Sequence, residues 1–318
     1  MYTQNNLQMY AIRTTEEAAI SCYQMMGRGD ETLADSLAVE AMRKALNKIN
    51  IQGTIVIGEG ERDKAPMLYI GEQVGTGQGE EIDIALDPLE GTSILARGSS
   101  NALSAIAMSP KGGLLNAPDV YMDKIAVGAL PAALENEKIV DLDYSVENNL
   151  DNVAKAKGRK IKDLVVVILD RQRNDHLITQ VRKAGARIQL IRDGDLATVV
   201  ALSLPNSGID MYMGIGGAPE GVLSASAFAT LGGQMCCRLI FNHQEEKDRA
   251  KRMGINDFQK KYYLNDLVKL DVTFAATGVT DGSILKGVRH VNNMVITNTI
   301  CTCSRSKEVR ILETEHRK

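Results

Sequence analysis

Cysteine and histidine are scarce in this chain of 318 residues: there are five cysteines (Cys22, Cys236, Cys237, Cys301 and Cys303) and four histidines. The cysteine count is odd, no CxxC spacing occurs and the histidines are scattered, so neither a disulfide framework nor a zinc site is indicated. The thiols are expected to be small buried apolar groups. No apolar run approaches the roughly 20 residues needed to cross a bilayer, and Met1 to Thr15 lacks the cationic and apolar parts of a signal peptide. A cytoplasmic protein with no membrane partner is expected. Neither sign of charge dominates, with 37 Lys and Arg against 40 Asp and Glu. Without a long basic run a nucleic-acid groove has no support, while small anionic substrates stay open through local clusters. Internal repeats and low-complexity segments are absent.

A hydrophobic content of 44% over this length buries a sizeable core and suggests two domains. Apolar residues recur at helical period over 14–26 and 34–49, which puts Asp35 near the start of a helix. The β-branched, glycine-bounded run from Gly53 to Gly58 reads as a buried strand that delivers Glu59 and Glu61 at its end. A glycine-rich loop over 74–81 leads into a second strand, Ile82 to Leu86. From about residue 160 strands and helices alternate: strands at 164–169, 187–191 and 209–213, with helices to Ala184, over 196–204 and from Gly221. That is the pattern of βαβ units. The fold class expected is α/β, with an α+β N-terminal domain over 1–150 and an α/β C-terminal domain over 151–318, joined by the polar stretch 135–159. The alternation in 295–303 and 309–314 predicts a closing pair of strands, although the placement of 288–318 stays open.

The segment Asp87-Pro88-Leu89-Glu90-Gly91-Thr92 follows the second strand directly. Two carboxylates, a proline turn and a Gly-Thr pair at a strand end can hold divalent cations and offer backbone N–H groups to a phosphate. Asp35, Glu59, Glu61 and Glu220 also stand at expected element ends. Gathered together, such groups repel unless protons or cations neutralise them. With no His or Cys in the set, Mg²⁺ or Mn²⁺ fits better than Zn²⁺. Thr92 is either a helix N-cap or the hydroxyl that orients an attacking water. Arg171-Gln172-Arg173 follows a strand and suits phosphate oxygens; Asp193-Gly194-Asp195 fits helix capping or hydrogen bonds to sugar hydroxyls. Gly214-Ile215-Gly216-Gly217 lacks both the GxGxxG spacing and the acidic partner of a dinucleotide fold, and that reading is set aside.

In order along the chain, Gly27-Arg28-Gly29-Asp30, Gly58-Glu59-Gly60-Glu61, Ala65 to Gly71, Asp87 to Thr92, Asn116 to Met122, Asp193-Gly194-Asp195 and Gly216 to Gly221 resemble class II fructose-1,6-bisphosphatase, within the lithium-sensitive sugar and inositol phosphatase superfamily. The resemblance runs from about Thr14 to Gly287. It implies a layered αβαβα sugar-phosphatase fold, a homodimer or homotetramer, and Mn²⁺ or Mg²⁺ held by Asp35, Glu59, Asp87, Glu90 and Glu220. Thr92 would act on the water, with Asp35 and Glu59 in the catalytic set. Glu90, Gly91, Thr92, Tyr121, Arg171, Gln172, Arg173, Asp193, Gly194, Asp195 and Gly217 would contact the sugar bisphosphate. The implied reaction removes the 1-phosphate of fructose 1,6-bisphosphate. Alternatives are a broader enzyme that also takes sedoheptulose 1,7-bisphosphate, or a non-catalytic sugar-phosphate sensor. The chain departs from the family pattern at Glu31, where lysine is usual, and at Gln172 and Asn174, where proline and histidine are common.

Overall fold

A computed structural model describes residues 4–58, 68–134, 137–204 and 207–317. By contact the chain divides into two compact units, one of residues 1–119 with 268–318 and the other of 120–267. The sequence-based division at residue 150 differs from this, because the stretch expected to be a joint holds the helix Val146–Ala156 and the buried Val140 and Asp141, and because the tail completes the first unit's sheet.

Unit 1 begins with two helices, α1 (Gln4–Tyr23) and α2 (Glu31–Leu46). Asp30 caps α2 by accepting the Leu33 N–H at 2.9 Å, so this helix starts three residues earlier than its apolar period suggests. Strands β1 (Ile51–Ile57), β2 (Gln73–Val74) and β3 (Glu80–Glu90) follow, then the short helix α3 (Thr92–Arg97) and strand β4 (Leu103–Pro110). The small residues Ala11, Ala18 and Ala19 of α1 and Ala34 and Ala38 of α2 let both helices lie close over Ile82, Ile84, Leu86 and Leu89 of β3.

Unit 2 opens with β5 (Tyr121–Gly128) and α4 (Val146–Ala156). The βαβ alternation expected from the sequence comes next: β6 (Val165–Leu169), α5 (Asp175–Ala184), β7 (Arg187–Ile191), α6 (Asp195–Ala201) and β8 (Met211–Gly217). Strand β6 pairs in parallel with both β7 and β8. Helix α7 (Ala218–Leu231), β9 (Gly233–Ile240), α8 (Gln244–Arg252), β10 (Lys261–Tyr263) and α9 (Leu264–Leu267) complete the unit. The sheet order is β10-β9-β5-β8-β6-β7. Leu150, Val153, Ile178 and Val181 of α4 and α5 form a core with Ile125 and Val127 of β5. Residues alternate across a strand, so Met122, Lys124 and Ala126 face the opposite side.

From Val268 the chain adds four more strands to unit 1: β11 (Thr273–Gly278), β12 (Arg289–Val291), β13 (Met294–Cys303) and β14 (Glu308–Arg317). The order β12-β13-β11-β4-β3-β1-β2, with β14 on β13, makes an eight-stranded sheet. The two tail strands are the closing pair that the alternation predicts. Thr297 bridges Glu16 of α1, at 3.0 Å, and His316 of β14, at 2.9 Å.

Candidate active site

In a regular strand residues i and i+3 point to opposite faces, yet Asp87 and Glu90 have carboxylate oxygens within 4.8 Å of one another. A bulge in β3 resolves the contradiction. Asp87 lies opposite Ala105 of β4 and Glu90 opposite Leu103, so three steps on one strand match two on the other. The extra residue switches the parity: Ile82, Ile84, Leu86 and then Leu89 pack in the helix-covered core, and Asp87 and Glu90 share the other face. Bulges are also where a strand tolerates proline, here Pro88. The Leu89 N–H donates to Asp87 Oδ1 at 3.0 Å, which secures the turn.

Gly91 comes next with φ +87°. This left-handed conformation lets the chain reverse straight into α3. Gly91 is also the N-cap of α3 and offers no side chain, so Thr92 is the first helical residue and its hydroxyl is not used as a cap. Two buried carboxylates this close, both hard oxygen donors, suit a divalent cation; the acidic cluster can hold a metal ion. Asp35 sits half-buried on α2, and burial raises its carboxyl above the usual range; it is outside the close pairing. Glu59 and Glu61 lie outside the described residues.

In unit 2, Arg173 sits in a 3-10 turn over Gln172–Asn174. Its guanidinium lies 4.6 Å from the centre of the Tyr121 ring, and its Nε donates to Ile215 O at 2.9 Å. Arg171 and Gln172 are exposed beside it. Asn174, by contrast, is buried. It donates to Leu169 O at 3.0 Å and accepts from Ile215 N at 2.9 Å, tying the end of β6 to β8. Asp193 is half-buried and accepts the Gly194 N–H at 3.2 Å. Gly194, with φ +78°, is the N-cap of α6 and stands between the two aspartates.

Asp195 accepts at Oδ2 from Lys124 Nζ at 2.7 Å and from Tyr212 OH at 2.7 Å. Lys124 is only 1% exposed and donates also to Gly217 O at 3.0 Å. Burial lowers its pKa; the charges of Asp195 and Glu220, with the Asp195 hydrogen bond, outweigh that and leave it above the ordinary lysine value. Sequence reasoning missed this lysine. The available signal was an ammonium inside the strand-like run Met122 to Val127. Gly217 is the N-cap of α7, and Glu220 stands in its first turn; a Cβ on Gly217 would collide with the Glu220 carboxylate.

The chain matches the family model of bacterial fructose-1,6-bisphosphatase, glpX-encoded, over residues 5–316. It is 44% identical to fructose-1,6-bisphosphatase 1 class 2 of Escherichia coli (strain K12), over 96% of this chain and 93% of that protein. Identity to the D-fructose 1,6-bisphosphatase class 2/sedoheptulose 1,7-bisphosphatase of Synechococcus sp. (strain JA-3-3Ab) is 43%, covering 99% and 96%. With fructose-1,6-bisphosphatase class 2 of Haemophilus influenzae it is 42%, over 96% and 94%.

Proposed function

Because this chain belongs to the bacterial, glpX-encoded fructose-1,6-bisphosphatase family, we infer that it is a phosphoric monoester hydrolase that converts fructose 1,6-bisphosphate to fructose 6-phosphate and phosphate in gluconeogenesis. The observation that carries the mechanism is the bulge that sets Asp87 and Glu90 side by side next to Thr92. Asp87 and Glu90, with Asp35, Glu59 and Glu220, would hold Mn²⁺ or Mg²⁺. When bound, such a cation neutralises phosphate oxygens and makes a water more acidic.

The remaining work falls to the chain's own groups. Thr92 Oγ1 is not spent on capping and is free of that constraint to hold the attacking water by a hydrogen bond. The N–H groups beginning at Gly91 donate to the reacting phosphate. Arg171, Gln172 and Arg173 take the distal phosphate, and Tyr121 and Ile215 O fix the plane of Arg173 so that its outer N–H groups donate in a fork. Asp193, Gly194 and Gly217 meet the sugar hydroxyls, while Asp195, buried and bound to Lys124 and Tyr212, holds the turn that carries Asp193 and Gly194.

The name carried by the Synechococcus relative favours a second substrate, sedoheptulose 1,7-bisphosphate. Purified protein assayed with Mn²⁺ and each sugar tests both readings. Phosphate release from the six-carbon sugar is expected, a higher kcat/KM on the seven-carbon sugar would reverse the order, and binding without release would identify a sensor. No described helix is long and apolar enough to cross a membrane. The reading places the enzyme in the cytoplasm as a homodimer or homotetramer, which fractionation and light scattering check.

A further inference from the structure

A lysine in the middle of a central strand is an expensive residue to bury. Lys124 lies on β5, paired on one side with β9 and on the other with β8, and its ammonium would cost several kcal/mol if left uncompensated there. Compensation comes from two elements at once. Nζ reaches Oδ2 of Asp195, the first residue of α6, and the carbonyl of Gly217, the N-cap of α7. Tyr212 donates to the same Oδ2, so one oxygen of Asp195 is fully engaged by two donors.

The surrounding backbone is cut to fit this arrangement. A Cβ at Gly216 would lie 2.5 Å from Asp195 Oδ2 and 2.8 Å from Lys124 Nζ. One at Gly221 would lie 2.5 Å from Met122 Sδ and 3.4 Å from Lys124 Cδ. Glycine at both positions brings the first turn of α7 down onto β5, where Lys124 holds its N-cap carbonyl. Glu220 projects from that turn.

We propose that Lys124 is a positioning residue, whose buried ammonium fastens the start of α6 to the start of α7 and thereby fixes the Glu220 carboxylate for a divalent cation. It rests on the metal-dependent reading above. Two effects of opposite sign can be separated. Removing a nearby positive charge alone strengthens the attraction of a carboxylate for a cation; loosening the turn that aims the carboxylate weakens it.

The charge-neutral pair of substitutions isolates the second effect. Lys124→Met with Asp195→Asn removes one charge of each sign and leaves no buried ion without a partner. Mn²⁺ alone is titrated into the metal-free full-length proteins, with free Mn²⁺ read by electron paramagnetic resonance and folding by thermal melts. Lys124→Met by itself is expected to melt well below wild type and the double variant close to it. The double variant should bind Mn²⁺ about tenfold more weakly than wild type, and more weakly than Asp195→Asn, as loss of a group that orients a ligand usually does. Binding equal to or tighter than wild type overturns the proposal, as does a double variant that melts as low as the single one. Wild-type protein that binds no Mn²⁺ instead defeats the metal reading beneath it.

Discussion

Unit 1 and unit 2 treat buried acid in opposite ways. In unit 1 a bulge turns Asp87 and Glu90 onto one face, carboxylate beside carboxylate. In unit 2 Asp195 is set against Lys124 and Tyr212. Like charges in close company call for an added cation, so their value is realised only when one arrives. Opposite charges in contact are satisfied within the fold, and what they contribute is geometry. The first arrangement suits chemistry, the second the aiming of neighbouring groups.

The sharpest test of this contrast is Glu90→Gln. If the acid pair serves a cation, turnover should fall by about a thousandfold or more, and the rise in melting temperature on adding Mn²⁺, which mass action makes several degrees at saturating ion, should vanish. Melts with Mn²⁺ and with chelator, beside the phosphate assay, decide it. A variant that keeps the metal response would erase the distinction between the units. Thr92→Ala should lower kcat by about a hundredfold with KM little changed, since the hydroxyl acts on the water rather than on ground-state binding; steady-state kinetics checks the split. Arg173→Ala in unit 2 should show the reverse, KM rising about tenfold or more with a smaller change in kcat, the worth of a charged hydrogen bond.

Asp141 extends the comparison to stability. Burial raises its pKa, yet hydrogen bonds from Lys138, Lys261 and Tyr263 outweigh burial and hold the carboxyl below its ordinary range. A depressed folded pKa contributes stability above the unfolded value near about 3.9, lost as pH falls through the folded one. Asp141→Asn should therefore destabilise unit 2 by about 2 kcal/mol at pH 7, a gap that denaturant titration should find narrowed at about pH 3. The smallest effect belongs to Glu31→Lys. Glu31 is exposed in the first turn of α2, where a negative charge complements the helix dipole, so the change should cost about 0.5 kcal/mol and leave kcat/KM unaltered. A clear gain in activity would show instead that this position faces the substrate's phosphate.

Much of this was legible in the primary order. Asp87 to Thr92 announced a strand end with carboxylates and a turn, the βαβ rhythm of unit 2 was visible from residue 160, and the tail strands followed from alternation. Other features were hidden for physical reasons. Strand parity alone separates Asp87 from Glu90, and only pairing with β4 reveals the bulge that reunites them. Asn174 stood out only as a departure from the family pattern, whereas its amide is committed to Leu169 and Ile215. Gly216 read as part of a failed nucleotide motif, and its reason is the space taken by Lys124 and Asp195.

Residue types and their order determined the family, the hard oxygen donors and the strand-turn-helix element that carries them, because propensity, turn chemistry and ligand hardness are local properties. Tertiary structure decided which faces those groups share, which aspartate is already neutralised and why a lysine lies at the centre of a sheet. Those outcomes depend on pairing register and burial, which arise only when segments distant in the chain are packed together.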